Sequence, residues 1–449
     1  MSQRRGRLFG LDSQLKAGVI ATMRARPGRG LAPTVRRLDD GDGGPATAPR
    51  RDFTDHPLYR DLALQRVASE RLGIANPFFR VHDGAAGHRT SIDGRSLINF
   101  ASYNYLDLVE HPRVRAAAAM ALERYGPSAS ASRPVGGERA VHATLEDRLA
   151  TLYASEAAVA FVSGHGANVS VIGKLFGGRD LVVHDALSHN SVVVGAELSG
   201  AARRAFSHND PAACERVLRD HRGRAERALI AIEGLYSMDG DIPDLAAFVA
   251  LARRYDAYLM VDEAHAVGVL GATGRGLAEE QGIDPSEVDI WMGTLSKSFA
   301  GCGGYIAGSR TLVELLKFAA PGFLYSVGMA PPLAAASAAA VDVMLEEGWR
   351  VERLRRNGRH LLDRLRAHGL DTGTSAGFSV VPVIVRSSVL AARLSNWLFE
   401  RGVNVQPILY PAVEERAARL RFFVTSGHEL DELETAAALT ASGLEELDP

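Results

Sequence analysis

Short apolar runs recur through the middle of the chain, and between them lie longer stretches in which apolar residues return every three or four positions. The first pattern is typical of buried strands and the second of helices that cover a sheet. The predicted strands are 157–162, 181–184, 228–232, 258–261, 290–292 and 305–307. A helix such as 244–255 separates neighbouring strands. This alternation predicts an α/β fold with a large, mostly parallel sheet covered by helices on both faces.

Different patterns precede and follow this central part. A helix is predicted near 56–72, and turn signals at Asp83 and Asp93, each followed by glycine, predict a small hairpin meander over 78–99. A long helical region over 331–365 leads to a smaller α+β unit, with strands at 380–385, 403–405 and 420–425 and a helix at 389–401. The predicted divisions are a flexible basic extension at 1–51, an N-terminal segment at 52–100, a large cofactor-binding domain at 101–335 and a small C-terminal domain at 336–449.

Composition excludes several classes of protein. The chain of 449 residues is 46% hydrophobic and has a net charge of −2, which gives no general attraction to nucleic acid or membranes. No apolar run approaches the length that spans a bilayer. Cys214 and Cys302 form neither a disulfide framework nor a metal-ligand spacing, so we expect a cytoplasmic protein without a metal. Residues 1–51 carry eleven Lys or Arg against four Asp, a charge that suits either a solvated tail or an arm that docks an acidic carrier protein.

One lysine and one aspartate follow neighbouring predicted strands. Lys297 lies in a loop of small residues after strand 290–292, and Asp262 directly follows strand 258–261. A Schiff-base enzyme needs an amine of lowered pKa, hydroxyl groups that hold a phosphate, and an aspartate that keeps a pyridine nitrogen protonated. Lys297 and Asp262, with Thr294 and Ser296 beside the lysine, supply these groups. The pattern predicts pyridoxal 5'-phosphate (PLP) as cofactor.

Three further polar turns follow predicted strands. Segment 163–168 opens a helix, so the backbone N–H groups of Gly164 and His165 suit a phosphate, although small residues also form ordinary turns. His189 follows the strand that ends at 184, and Ser237 lies in the elbow 233–241. Ligands bind beyond the carboxyl ends of strands in such sheets, so we expect these residues to lie near Lys297.

Taken together, six ordered segments make the chain similar to a known family. They are 100–106, 132–146, 187–189, 233–241, 262–265 and 294–297. In them the chain resembles the α-oxoamine synthases, PLP-dependent enzymes of fold type I that include 8-amino-7-oxononanoate synthase and serine palmitoyltransferase. The resemblance covers roughly 75–440. Segments 163–168 and 407–411 look most like members associated with polyketide biosynthesis.

The resemblance implies roles for individual residues. It makes Lys297 the residue that binds PLP covalently, places Asp262 at the pyridinium nitrogen and His189 over the ring, and gives His265 a hydrogen bond to the phenolic oxygen. Arg421 matches the arginine that binds the amino-acid carboxylate. The remaining implied positions are Ser237 near the ring, Thr294, Gly164 and His165 at the phosphate, Asn104 near the substrate, and Ser326 at the phosphate of the neighbouring subunit.

The implied reaction is a decarboxylative Claisen condensation of a small α-amino acid with an acyl thioester, which releases a thiol and carbon dioxide and leaves an α-amino ketone. His265 and His189 are implied as catalytic residues beside Lys297, and a homodimer with shared active sites is implied. An aminotransferase of the same fold and a non-catalytic PLP-binding regulatory module are the alternatives. His165 replaces an aromatic residue of many relatives, and Leu409 stands where 8-amino-7-oxononanoate synthases commonly have arginine. The amino acid, the acyl chain and the choice between coenzyme A and a carrier protein stay open.

Overall fold

The structure, a computed structural model, describes residues 52–448, so the extension predicted for 1–51 lies outside the described residues. Its largest sheet has seven strands in the order β3-β9-β8-β7-β6-β4-β5. These strands are β3 (Ala157–Phe161), β4 (Leu181–Asp185), β5 (Ala202–Phe206), β6 (Ala228–Glu233), β7 (Tyr258–Asp262), β8 (Ile290–Thr294) and β9 (Gly304–Gly308). Only β9 runs against its neighbours β3 and β8, whereas the pairings from β8 to β5 are parallel. The predicted α/β fold with a mostly parallel sheet is confirmed.

Helices cover both faces of this sheet because its central strands are apolar on both sides. In β6, Ile230 and Ile232 pack into one core cluster while Leu229 and Ala231 pack into the cluster on the opposite face. Successive side chains of a strand point to opposite faces, so a continuous apolar run requires two covering layers. The helices that precede or separate these strands are α1 (Pro57–Arg71), α2 (Pro112–Tyr125), α3 (Ala140–Leu152), α4 (Gly164–Leu175), α5 (Asn190–Ser199), α6 (Pro211–His221), α7 (Leu245–Arg254) and α8 (Leu277–Gln281).

Two small sheets complete the fold, and the second half of the chain contributes strands to both. Strands β1 (Arg89–Ile92) and β2 (Arg95–Asn99) form the predicted hairpin, and β11 (Val403–Asn404) joins β2 in parallel. Strands β10 (Val380–Ile384), β13 (Arg419–Phe423) and β12 (Gln406–Ile408) form an antiparallel sheet in that order. The helices of this half are α9 (Arg310–Ala319), α10 (Pro321–Leu324), α11 (Pro331–Glu346), α12 (Trp349–Ala367), α13 (Ser388–Glu400) and α14 (Leu430–Leu447).

Two local predictions differ from the structure. Strand β5 was not predicted, because its arginines give it the composition of a surface segment. The long helical region predicted over 331–365 is confirmed, and it consists of two helices because Glu347 leaves helical geometry (ψ 55°) directly before Gly348, a poor helix former. The strand predicted at 403–405 is the two-residue strand β11, which pairs with the hairpin, and β12 was not predicted. The division into domains stays a prediction. Within residues 52–448 no helix is long and apolar enough to cross a membrane.

Candidate active site

A cavity of about 360 Å³ lies at the carboxyl ends of five strands of the large sheet. Strands β3, β4, β6, β7 and β8 each deliver lining residues from the loop that follows them. Parallel strands bring their carboxyl ends to one edge of a sheet, so segments that are far apart in sequence meet there. The lining residues are Tyr103, Ser163, Gly164, His165, Asn168, His189, Ser191, Glu233, Ser237, Met238, Asp262, Ala264, His265, Met292, Thr294, Ser296, Lys297 and Arg421.

Lys297 projects into this cavity from the loop after β8, with its Nζ 5.8 Å from the centre of the Tyr103 ring. Burial lowers the pKa of Lys297 to about 8, and the carboxylates of Asp262 and Glu233 limit the decrease. Burial removes water from the ammonium and favours the neutral amine, whereas a nearby anion favours the ammonium. At neutral pH about a tenth of Lys297 is therefore a free amine, the form that attacks a carbonyl.

Asp262 ends β7 and is 5% exposed. Its Oδ2 accepts a hydrogen bond from Asn168 Nδ2 at 2.8 Å, and its Oδ1 accepts one from the Ala264 N–H at 2.9 Å. Asn168 Nδ2 also donates to Ser191 Oγ at 2.9 Å, which fixes the amide. The carboxylate is thus held in one orientation at the cavity wall. Among the described residues, Asn168 Oδ1 is buried without a hydrogen-bond partner.

His189 is the N-cap residue of α5. Its backbone N–H donates to Glu233 Oε1 at 2.6 Å, and its Nδ1 lies 2.7 Å from Ser191 Oγ. Burial lowers the pKa of His189, and burial raises the pKa of Glu233 to about 8, with the negative charge of Asp262 adding to the increase. The imidazole is therefore neutral near pH 7, as suits a flat group against an aromatic ring.

His265 lies three positions after Asp262, and its Nδ1 is 2.7 Å from the Tyr105 hydroxyl. Burial lowers the pKa of His265 well below its ordinary value, and the positive charge of Lys297 adds to the decrease. The ring also stacks on Phe423, with centroids 6.3 Å apart and planes at 17°. The neutral imidazole is fixed in orientation and has its Nε2 available for one further hydrogen bond.

Arg421 enters the cavity from β13. Its Nη1 donates to the Ser237 carbonyl oxygen at 2.9 Å and lies 3.4 Å from Met238 Sδ. Its guanidinium carbon lies 4.6 Å from the centre of the Phe423 ring. Within the described part of the chain, Arg421 Nε is buried and has no hydrogen-bond partner. A guanidinium whose buried Nε has no partner is strongly suited to an incoming carboxylate.

The amino end of α4 provides a narrow cradle beside Thr294. The first N–H groups of a helix have no acceptor within the helix, and Ser163 Oγ satisfies only that of Gly166 at 3.2 Å. A Cβ on Gly164 would lie 3.0 Å from Thr294 Oγ1, and one on Gly304 would lie 2.5 Å from the Gly164 Cα. The cradle thus depends on two glycines. Together with Lys297 and a fixed carboxylate, it fits a ligand that has a phosphate and a basic ring nitrogen, which describes PLP.

Two predicted site residues lie away from this cavity. The side chain of Asn104 belongs to its own loop: Nδ2 donates to the Ala86 carbonyl oxygen at 3.0 Å and to Asp107 Oδ1 at 3.2 Å, while Oδ1 accepts from the Leu108 N–H at 2.9 Å. Tyr103, its near neighbour, lines the cavity instead. Ser326 does not line it either, and its predicted role concerns a neighbouring subunit. The other predicted site residues surround the cavity.

Three residues of the cavity wall were not predicted to have a role there. Asn168 holds Asp262, Glu233 holds the backbone of His189, and Tyr103 lies beside Lys297. Asn168, near the start of α4, and Glu233, the last residue of β6, lie directly after or within a few residues of the predicted strands 157–162 and 228–232, so their position was the available signal. Glu233 could only be interpreted as a turn former, because its hydrogen bond to residue 189 spans 44 positions.

Comparisons with known proteins agree with this geometry. Residues 95–439 match the family described as aminotransferase class I and II. An 8-amino-7-oxononanoate synthase from Geobacter sulfurreducens is 42% identical over 360 residues, covering 80% of this chain and 91% of the relative. The solved Sphingomonas wittichii serine palmitoyltransferase superposes with a TM-score of 0.84 and 29% identity, covering 88% of this chain and 99% of the other.

A serine palmitoyltransferase from S. paucimobilis, solved with bound PLP–myriocin aldimine, gives a TM-score of 0.83 at 28% identity, with the same coverage of 88% and 99%. The fold is that of PLP-dependent fold-type I enzymes, and PLP is the cofactor. The chain therefore belongs to the aminotransferase class I and II family and, within it, to the α-oxoamine synthases.

Proposed function

We propose that this protein condenses a small α-amino acid with an acyl thioester, with loss of thiol and carbon dioxide, to give an α-amino ketone. The observation that carries the proposal is that one cavity brings together a lysine of lowered pKa, a fixed carboxylate, two neutral histidines and an arginine whose buried Nε is a free donor. The similarity to 8-amino-7-oxononanoate synthases and serine palmitoyltransferases supports the same reaction class.

The residues around the cavity suit PLP at specific points. Lys297 would bind it covalently, Asp262 would pair with its ring nitrogen, and His189 would lie against the ring. The first turn of α4, at Gly164 and His165, and the hydroxyl of Thr294 would hold the phosphate, with Ser237 near the ring. When bound, PLP supplies a sink for the electron pair left on the α-carbon of the amino acid.

Arg421 is proposed to bind the carboxylate of the amino acid. Its Nη1 is already held by the Ser237 carbonyl oxygen, so the guanidinium is fixed in orientation before a substrate arrives. The unpartnered Nε would then complete a charge-assisted hydrogen bond to the carboxylate. This contact orients the α-carbon relative to the amine of Lys297, an effect that lowers the entropic part of the barrier.

Lys297 and His265 are proposed to move and hold protons. An amine with a pKa of about 8 exchanges protons readily near neutral pH, so Lys297 can remove the α-proton and return one to the product. His265 is neutral and oriented by Tyr105. Its Nε2 can donate a hydrogen bond to an oxygen that gains negative charge, either the phenolic oxygen of PLP or the carbonyl oxygen of the thioester. His189 would assist at the thioester carbonyl.

The acyl donor is proposed to be carried on coenzyme A or on a carrier protein, and the basic segment 1–51 favours the carrier protein. The likeness of 163–168 and 407–411 to polyketide-associated members supports a polyketide-derived acyl chain, and Leu409 in place of arginine argues against biotin synthesis. A homodimer is proposed in which Ser326 reaches the neighbouring site. The side chains of Tyr325 and Phe318 are 86% and 84% exposed, and a second copy would cover them.

The decisive experiment incubates the PLP-loaded enzyme with glycine, alanine or serine and with acyl-coenzyme A or acyl-carrier thioesters. Free thiol and product mass are followed together. We expect thiol release together with a product that has lost carbon dioxide. Formation of a keto acid without thiol release would identify an aminotransferase instead. PLP binding without turnover of any amino acid would favour a regulatory module.

A further inference from the structure

A histidine outside the cavity links two of the loops that form it. His208 follows edge strand β5, and its Nδ1 lies 2.9 Å from Asp185 Oδ1 at the end of β4. Its Nε2 lies 3.1 Å from Asp241 Oδ2, in the loop after β6. Asp185 is completely buried, Asp241 is 9% exposed, and the His208 side chain is 23% exposed. One imidazole thus bridges a carboxylate at the end of β4 and a carboxylate in the loop after β6.

The electrostatics of the cluster require a charged imidazole. Both carboxylates are removed from water, which is costly unless a cation or several hydrogen-bond donors compensate. They raise the pKa of His208 to about 10 despite its partial burial. Both ring nitrogens then donate, one to each carboxylate. Asn209 strengthens the bridge, because its backbone N–H donates to Asp185 Oδ2 at 2.7 Å and its side chain donates to Asp241 Oδ2 at 3.0 Å.

The two bridged loops carry residues that face the cavity. Asp185 lies four positions before His189 and also accepts the hydrogen bond of the Tyr236 hydroxyl at 3.0 Å. Tyr236 packs its ring edge-on to His208, with centroids 4.5 Å apart. Its backbone N–H bonds to the Asp241 carbonyl oxygen at 2.9 Å, which closes the loop that presents Ser237. The bridge therefore spans the loop that carries His189 and the loop whose Ser237 carbonyl holds the guanidinium of Arg421.

We infer that His208 is a positioning residue, whose bridge between Asp185 and Asp241 sets the separation of the loops that carry His189 and Ser237, and through Ser237 the orientation of Arg421. This inference rests on the proposed function in assigning the amino-acid carboxylate to Arg421. The loss of the bridge acts mainly on amino-acid binding and on the rate of condensation, because both depend on small displacements of groups that contact the substrate. Neither His208 nor its carboxylate partners lines the cavity.

The test compares the PLP-loaded parent with His208→Gln, Asp241→Asn and a control, His360→Gln. His360 is a fair control because its Nε2 also lies near a carboxylate, 3.3 Å from Glu434 Oε1, and its side chain is 25% exposed, but it lies in α12. The dissociation constant of the amino acid is read from the absorbance change of the bound cofactor, and thiol release and the melting temperature are measured on the same samples.

We expect His208→Gln to raise the dissociation constant of the amino acid by about 10-fold or more and to slow thiol release, and Asp241→Asn to act in the same direction less strongly. His360→Gln should change the dissociation constant of the amino acid and the rate of thiol release by less than about 2-fold, as expected for a site independent of the cavity. Lower melting temperatures with unchanged amino-acid affinity in both bridge variants would overturn the inference. If His208→Gln does not fold, Asp241→Asn decides, since it keeps the pair of His208 and Asp185.

The same measurements distinguish a failure of the proposed function from a failure of the inference about His208. If the parent binds the amino acid but releases no thiol, the condensation is wrong, and the dissociation constants still decide the role of His208. If the parent does not respond to any amino acid, the rate at which PLP dissociates decides, because His189 and Ser237 are the residues expected beside its ring. Faster loss of PLP from the bridge variants than from His360→Gln would then support the inference, and equal rates would refute it.

Discussion

The lowered pKa of Lys297 gives a quantitative prediction about the protein without its cofactor. A pKa of about 8 in place of 10.5 corresponds to about 3.4 kcal/mol between the protonated and neutral forms. At pH 7.5 about 24% of such an amine is neutral, against about 0.1% of an ordinary lysine, a difference of about 240-fold. The cause is burial at the cavity wall, so the effect should exist before PLP binds.

The chain is well suited to the measurement, because it contains only four lysines: Lys16, Lys174, Lys297 and Lys317. Apoprotein is labelled with trace acetic anhydride between pH 6 and 11, and the acetylated peptides are measured by mass spectrometry. Only neutral amines react, so the midpoint of each pH profile reports the pKa of that amine. The exposed Lys174 serves as the internal reference for labelling.

A second expected result concerns the effect of the Asp262 carboxylate on the pKa of Lys297. Asp262 raises the pKa of Lys297, so Asp262→Asn should move the midpoint of Lys297 to a lower pH and leave Lys174 unchanged. A midpoint for Lys297 that coincides with that of Lys174 would refute the assignment of the shift to burial. A midpoint that rises in Asp262→Asn would refute the proposed direction of the electrostatic effect.

Four further predictions concern catalysis and stability. Lys297→Ala should abolish thiol release, and full turnover in this variant would contradict the proposed mechanism. Arg421→Lys should raise the KM for the amino acid about 10- to 100-fold in steady-state kinetics, because lysine cannot reproduce the forked geometry of the guanidinium. Trp291→Ala should lower the free energy of unfolding by about 3–5 kcal/mol in urea titrations, since Trp291 is 1% exposed and stacks on Tyr153. The control Trp349→Ala, at a site 49% exposed, should lower it by less than about 1 kcal/mol. The free energy of unfolding should be measured at pH 6.5 and 9.5 for the parent and for His208→Gln. The decrease between these pH values should be about 2–4 kcal/mol larger for the parent. The reason is that the raised pKa of His208 stabilises the fold fully below the ordinary pKa of 6.5, and this stabilisation is lost as the pH rises toward about 10.

The sequence was sufficient for the framework of the large sheet. Strands β3, β4, β6, β7, β8 and β9 overlap the predicted segments, because a strand buried on both faces must be apolar at nearly every position. Strand β5 was missed for the complementary reason. As an edge strand it exposes four of its five residues, including Arg203 and Arg204, and charge on an edge strand discourages pairing with other chains. Its omission also concealed His208.

Much of the cavity could also be anticipated from the sequence. Lys297, Asp262, His265, His189 and Ser237 each follow a predicted strand, and parallel topology brings such positions to one edge. Their proximity therefore followed from local pattern and a general rule of sheet architecture. The identity of their hydrogen-bond partners did not.

Contacts that orient these groups were decided only by tertiary structure. Asn168 bonds to Asp262 across 94 positions, and Arg421 bonds to the Ser237 carbonyl across 184. Asn104 lies in segment 100–106, whose resemblance to the family implied a substrate contact. In the structure its side chain hydrogen-bonds to the backbone of Ala86 and Leu108. Apolar periodicity records which face of a strand or helix is buried, since that depends on neighbours a few residues away. Hydrogen-bond partners and pKa shifts depend on distances and burial between remote segments, which are defined only once the chain has folded.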